Sequence, residues 1–132
     1  METSGTMDEI TRILRDLKNS DWDVRQNAVQ HIGEIRDPEL LRKLIIRLRI
    51  EKWHIREAVA AGIRSYSDLA LAEPLMDALS SDDDIIRDAC ARALGNMRCK
   101  KAEKLLETAA SDPDCRVRKT ARIALEQIQE RY

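Results

Sequence analysis

The dipeptide Val24-Arg25 recurs as Ile55-Arg56, Ile86-Arg87 and Val117-Arg118, each time 31 residues further on. Other columns keep the register: Ala28, Val59, Cys90, Ala121; Ile32, Ile63, Leu94, Leu125; and Ile35, Tyr66, Met97, Ile128. They lie 4, 8 and 11 residues after the first column, the spacing of one face of an α-helix. A second set, Ile13, Leu44, Leu75, Leu106 and Leu17, Leu48, Leu79, Ala110, has the same interval, so each unit holds two amphipathic helices. Neither helix can bury its apolar stripe alone, and units with a fixed period solve this by stacking.

The fold expected is all-α: a right-handed α-solenoid of about four 31-residue helical hairpins, roughly eight helices in all. A lone helix at about 7–19 precedes A/B pairs at 21–35 and 38–50, 52–66 and 69–80, and 83–97 and 100–111, with a last A helix at 113–130. Residues 1–6 are expected as a disordered tail and 7–132 as one domain. Asp37-Pro38 and Asp112-Pro113 each place a capping acceptor before a first-turn proline. Ser67, Ser81 and Asn19 are further candidate caps, and Pro74 is expected to delay the regular start of its helix. Gly33 and Gly95 share a column where helices must approach closely or turn early. The small columns Ala58, Ala89 and Val29, Ala60, Ala91 favour tight stacking, whereas Arg122 and Glu126 replace small residues in the last unit, as a capping helix requires.

Composition fits this reading. Seven glycines and prolines in 132 residues, no phenylalanine and only 3% aromatics leave a core of Leu, Ile, Val and Ala joined by short turns. With 23 basic and 24 acidic residues, net charge −1 argues against a general polyanion binder. No apolar stretch approaches the ~18 residues of a membrane span, and the polar start METSGTMDEI is unlike a secretion signal, so a cytoplasmic protein is expected. Three cysteines without a CxxC read as free thiols in a reducing compartment.

The segments DCRVRKTARIALEQI (114–128) and DDIIRDACARALGNM (83–97), with Glu73-Pro74-Leu75 in a B helix, resemble the HEAT-like repeat of the phycobilisome lyases. That resemblance implies an Asp-to-Arg ladder at four-residue spacing, present as Asp21 to Arg25, Asp83 to Arg87 and Asp114 to Arg118. Lys52 replaces the acid before Arg56 and leaves that guanidinium for Glu51, Glu57 or a ligand. The wider superfamily includes scaffolds, chromophore lyases, di-iron hydroxylases and DNA glycosylases, so the fold alone does not assign an activity. The hydroxylases carry His-Glu after the helix-A arginine; here those positions are Gln26-Asn27, Glu57-Ala58, Asp88-Ala89 and Lys119-Thr120, which argues against a metal centre or other cofactor. His31 reads as a packed histidine, Cys90 as a small core hydrophobe, and Cys115 lacks an adjacent base.

The expectation is therefore a non-enzymatic protein-interaction scaffold. The outward B-helix columns are Thr11, Arg42, Glu73, Lys104; Arg12, Lys43, Pro74, Leu105; and Arg15, Ile46, Asp77, Thr108. Lining the concave side, they form a face that is basic at Arg12, Arg15, Arg42 and Lys43 and acidic at Glu73 and Asp77, suited to an acidic or mixed-charge protein partner. Trp22 and Trp53 share a column, with His54 and Lys52 beside the second; they are either folded over the preceding turns or exposed as a surface patch. Alternatives are an accessory role in bilin attachment, nucleic-acid binding through Arg42, Lys43, Arg47 and Arg49, disfavoured by the net charge, and homo-association through the solenoid ends.

Overall fold

The computed structural model describes residues 5–130, and these contain eight α-helices. They are α1 (Gly5–Leu17), α2 (Trp22–Gly33), α3 (Pro38–Arg47), α4 (Trp53–Ile63), α5 (Ala72–Ala78), α6 (Asp84–Asn96), α7 (Glu103–Ala109) and α8 (Cys115–Gln129). Single 3₁₀ turns extend α3 (Leu48–Ile50) and lead into α5 (Leu69–Leu71) and α7 (Lys100–Ala102). Of the tail expected at 1–6, residues 1–4 lie outside the described residues, and Gly5 and Thr6 are already helical.

The A helices α2, α4, α6 and α8 stack in sequence as one layer. In the other layer α3 packs against α1 and α5, while α1, α5 and α7 each pack on the A helix that follows them. The architecture is an α-solenoid, and its core consists of the register columns themselves. Ile32, Ile63 and Leu94 are fully buried, as are Leu44, Leu75 and Leu106. Thus the 31-residue period of the sequence is a period of packing: each apolar stripe is covered by the next unit.

Local signals fix the ends. Asp21, Asp37, Asp83 and Asp114 accept backbone N–H bonds as N-caps, with Pro38 at the first position of α3. Asp68, rather than Ser67, caps the turn before α5. Asn19 and Ser81 support the caps from outside, accepting from the N–H groups of Asp21 and Asp83. The cap expected at Asp112 sits two residues later at Asp114, because Asp112 is occupied by Arg87. Pro74 occupies the first turn of α5, preceded by the 3₁₀ turn, as its missing N–H allows.

The Asp-to-Arg ladder does not form within helices. The acids cap their own helix ends, and each arginine folds back onto carbonyls of the preceding turn: Arg25 to Asn19 and Ser20, Arg118 to Asp112 and Pro113. Arg56 donates to the Glu51 carbonyl and lies against Asp83 of the next unit, so it is not left for a ligand. Arg87 donates to the Ser81 carbonyl and, through Nε and Nη2, to both carboxylate oxygens of Asp112, at 2.8 and 3.0 Å. Two arginines therefore staple successive B-to-A turns together.

Two buried polar links tie neighbouring A helices. Tyr66 Oη donates to the Ile32 carbonyl at 2.6 Å, reaching back one unit to the end of α2. Burial pushes its phenol pKa well above the ordinary value. Tyr66→Phe leaves that carbonyl with only the Ile35 N–H as donor and should cost about 1 kcal/mol, measurable by urea unfolding. Thr120 Oγ1 donates to Asp88 Oδ1 at 2.5 Å between α6 and α8, and Arg64 stands 3.7 Å from the other carboxylate oxygen.

Candidate interaction surface

The outward faces of the B helices present the expected side chains with one exception: Pro74 is buried, and only Glu73 and Asp77 of α5 face solvent. Arg12 and Arg15 on α1, Lys43 and Ile46 on α3, and Lys104 and Leu105 on α7 are all exposed. Ile46 keeps 56% of its surface in solvent.

The expected division into a basic and an acidic half is altered by contacts between helices. Arg42 of α3 reaches across to hydrogen-bond Asp77 of α5 and also faces Glu39, while Lys101 bonds Glu73 at 3.1 Å. The Asp77 hydrogen bond holds the Arg42 guanidinium above its ordinary pKa against the opposing effect of desolvation. The acidic end of the face is thus largely neutralised, and Arg42 with it. Among the described residues, Arg12, Lys43, Arg47, Arg49 and Lys104 form no ion pair, against Asp82 and Glu107 among the exposed acids nearby, so the unpaired charge is mostly positive.

Between α3 and the α5–α6 connection the face opens into a groove of about 690 Å³. Ile45, Leu48, Ala78 and Ile86 give it an apolar lining; Arg42, Ile46 and Arg49 stand on the α3 side, Asp77 and Asp82 on the other. A volume of this order is in the range of clefts that take drug-sized ligands. It arises because α3 packs on α1 and α5, with its last residues tightened into a 3₁₀ turn at Leu48–Ile50.

Trp22 and Trp53 are both exposed, at 62% and 64%, so neither is buried over the turn before it. Each is the first residue of its A helix. His54 is exposed beside Trp53, the rings meeting edge to face with centroids 5.9 Å apart. His31 is half-buried and bonded to Glu9 at 3.0 Å, tying α2 to α1. Cys90 and Cys99 are buried and Cys115 is exposed, all as free thiols; burial pushes the Cys90 thiol well up from its ordinary value. Among the described residues no three His, Cys, Asp or Glu side chains converge as a metal site, and no helix is long and apolar enough to cross a membrane.

Sequence reasoning named Ile46 but missed Arg49 as a groove residue and Ile50 as a surface one. Ile50 keeps 81% of its surface in solvent. The signal was available: its column is Asn19, Ile50, Ser81, Asp112, an isoleucine among polar turn residues.

Two solved structures share this architecture. An engineered protein from the Northeast Structural Genomics Consortium superimposes with a TM-score of 0.54 at 18% identity, over 92% of this chain and 62% of its own. A designed armadillo repeat protein gives 0.51 at 20% identity, over 90% and 64%. The chain therefore spans somewhat under two thirds of each. No curated protein matches the sequence. The family of HEAT repeats matches over residues 8–89 and 72–131, nearly the full length. A 31-residue register, two layers of stacked helices and this match lead to one assignment: the chain belongs to the HEAT repeat family.

Proposed function

We propose that the protein is a non-catalytic interaction scaffold that takes another protein on its B-helix face. The observation that carries this reading is the open groove beside exposed Ile46, on a face whose unneutralised charge is mostly positive. Stacked helical repeats present extended surfaces of this kind, and the fold serves binding through side chains it does not need for its own core. Arg12, Arg15 and Lys43 fit the description: all are exposed and none supports a buried contact. The partner they favour carries acidic groups, since complementary fields speed encounter and reject like-charged competitors.

Affinity capture from the native cell, with wild type beside the triple variant Arg12→Glu, Arg15→Glu, Lys43→Glu, tests this. The variant should fold normally and lose the captured partner; an unchanged capture pattern contradicts the reading. Reversing Arg42 is a poor test, because Glu at that position would face Asp77 and disturb the packing of α3 on α5. Kinship with the phycobilisome-lyase repeats rests on the residue segments quoted above, and a bilin titration without a spectral shift would remove a chromophore role.

A further inference from the structure

Stacking makes the same demands on every unit of the solenoid, so a side chain that departs from its column in one unit alone is not explained by the fold. The stretch from α3 into α4 concentrates such departures. Ile46 stands in the column of Arg15, Asp77 and Thr108; Ile50 in that of Asn19, Ser81 and Asp112; Lys52 in that of Asp21, Asp83 and Asp114. Ile46 and Ile50 are exposed, and so is Trp53 just beyond, although burying such side chains would stabilise the fold. Interleaved with them are Lys43, Arg47, Arg49 and Lys52, none ion-paired among the described residues. At Lys52 the change also removes the side-chain cap of α4, a stabilising feature that α2, α6 and α8 keep. The chain from Lys43 to Trp53 thus carries apolar and cationic side chains that the stack does not need, and two of them, Ile46 and Arg49, line the groove.

We infer that this strip and groove form a docking site for an amphipathic segment of a partner protein, one that carries acidic residues beside large apolar ones. The inference rests on the scaffold reading and names the chemistry of its partner. The apolar side chains of the segment enter the groove over Ile45, Leu48 and Ile86, against Ile46. Its carboxylates face Arg49 on the groove wall and, beyond the groove, the cations of the same stretch of chain, Lys43, Arg47 and Lys52. Of the carboxylates on the opposite wall, Asp77 is held by Arg42, Asp83 by Arg56 and Asp84 by Arg116, which leaves exposed Asp82 unpaired. A concave site suits a protein segment, whose side chains can enter it, better than the flat surface of a bilayer.

The test uses the full chain and three probes: a fluorescent amphipathic peptide of leucine and glutamate, its twin with lysine in place of glutamate, and phosphatidylcholine vesicles containing phosphatidylserine. Fluorescence anisotropy should show the glutamate peptide bound and the lysine twin not. Ile46→Asp, and separately Arg47→Glu with Arg49→Glu, should each weaken binding by about tenfold or more while circular dichroism and melting stay as in wild type. Arg49→Lys should retain most of it. The inference is overturned if the glutamate peptide does not bind, if both peptides bind alike, if the variants bind as wild type does, or if only the vesicles are retained. Should it fail while the triple variant of α1 and α3 still loses its cellular partner, the scaffold reading stands and the partner engages elsewhere on the B-helix face.

Discussion

Gly95→Leu should lower stability by about 3 kcal/mol or more, enough to populate the unfolded chain at physiological temperature. A Cβ on Gly95 would lie 2.7 Å from both Cα and Cβ of Ala124, and would press on the side-chain amide of Gln127 as well. The glutamine can swing away, but the Ala124 backbone cannot move without separating α6 from α8. Among the described helices these two share the most extensive contact, and with it would go the Thr120–Asp88 link. Gly95→Ala meets the same backbone, yet gains about 1 kcal/mol of helix propensity, so its net cost should be visibly smaller. Gly62 has the equivalent place one unit earlier, where a Cβ would lie 2.6 Å from Ile32 Cγ2. Denaturant unfolding of Gly95→Leu, Gly95→Ala and wild type measures the series; equal midpoints would show that the A layer is looser than described.

Arg87→Ala should cost about 3 kcal/mol, because it leaves Asp112 with its charge largely buried and no cation beside it. The pair is bidentate, and its side chains are only 15% and 10% exposed. Burial alone would raise the Asp112 pKa, but the Arg87 hydrogen bond, the Asp114 N–H and the Arg87 charge outweigh it and hold the carboxyl below its ordinary value. A carboxyl whose folded pKa is depressed gives stability that is complete above its unfolded value, near ~3.9, and is lost as pH falls through the folded one. The gap between wild type and Arg87→Ala should therefore be full at neutral pH and narrow as pH falls through the carboxylate range, where Asp112 of the variant, lacking Arg87, is protonated before that of wild type. Thermal melts of both proteins across that range check it; a gap that does not change with pH would mean Arg87 acts through its aliphatic stem or its Ser81 bond alone.

How far the sequence could be read differed between core and surface for a physical reason. A buried column is fixed by geometry that repeats with the unit, so Ile32, Ile63, Leu94 and their B-helix counterparts could be placed from spacing alone. The arginines could not. Four residues from an acid on one helix suggests a pair, but the acid is worth more as a cap, and a long guanidinium reaches the preceding turn or the next unit instead. The bipolar face failed similarly: columns show which side chains share a side, not that Arg42 and Asp77, on neighbouring helices, neutralise one another. The groove was not legible at all, since it depends on how α3 settles between α1 and α5. Its marker, isoleucines at Ile46 and Ile50 in otherwise polar columns, was present in the register throughout.

The claim that the B-helix face is the working surface is tested most directly by amide hydrogen exchange of the protein alone and with its captured partner. Binding should slow exchange along α1 and α3 and in the 48–52 turn, leaving the exposed edges of α2, α4, α6 and α8 unchanged. Protection confined to the A helices, around Trp22 or the polar face of α8, with none on α1 or α3, would contradict it.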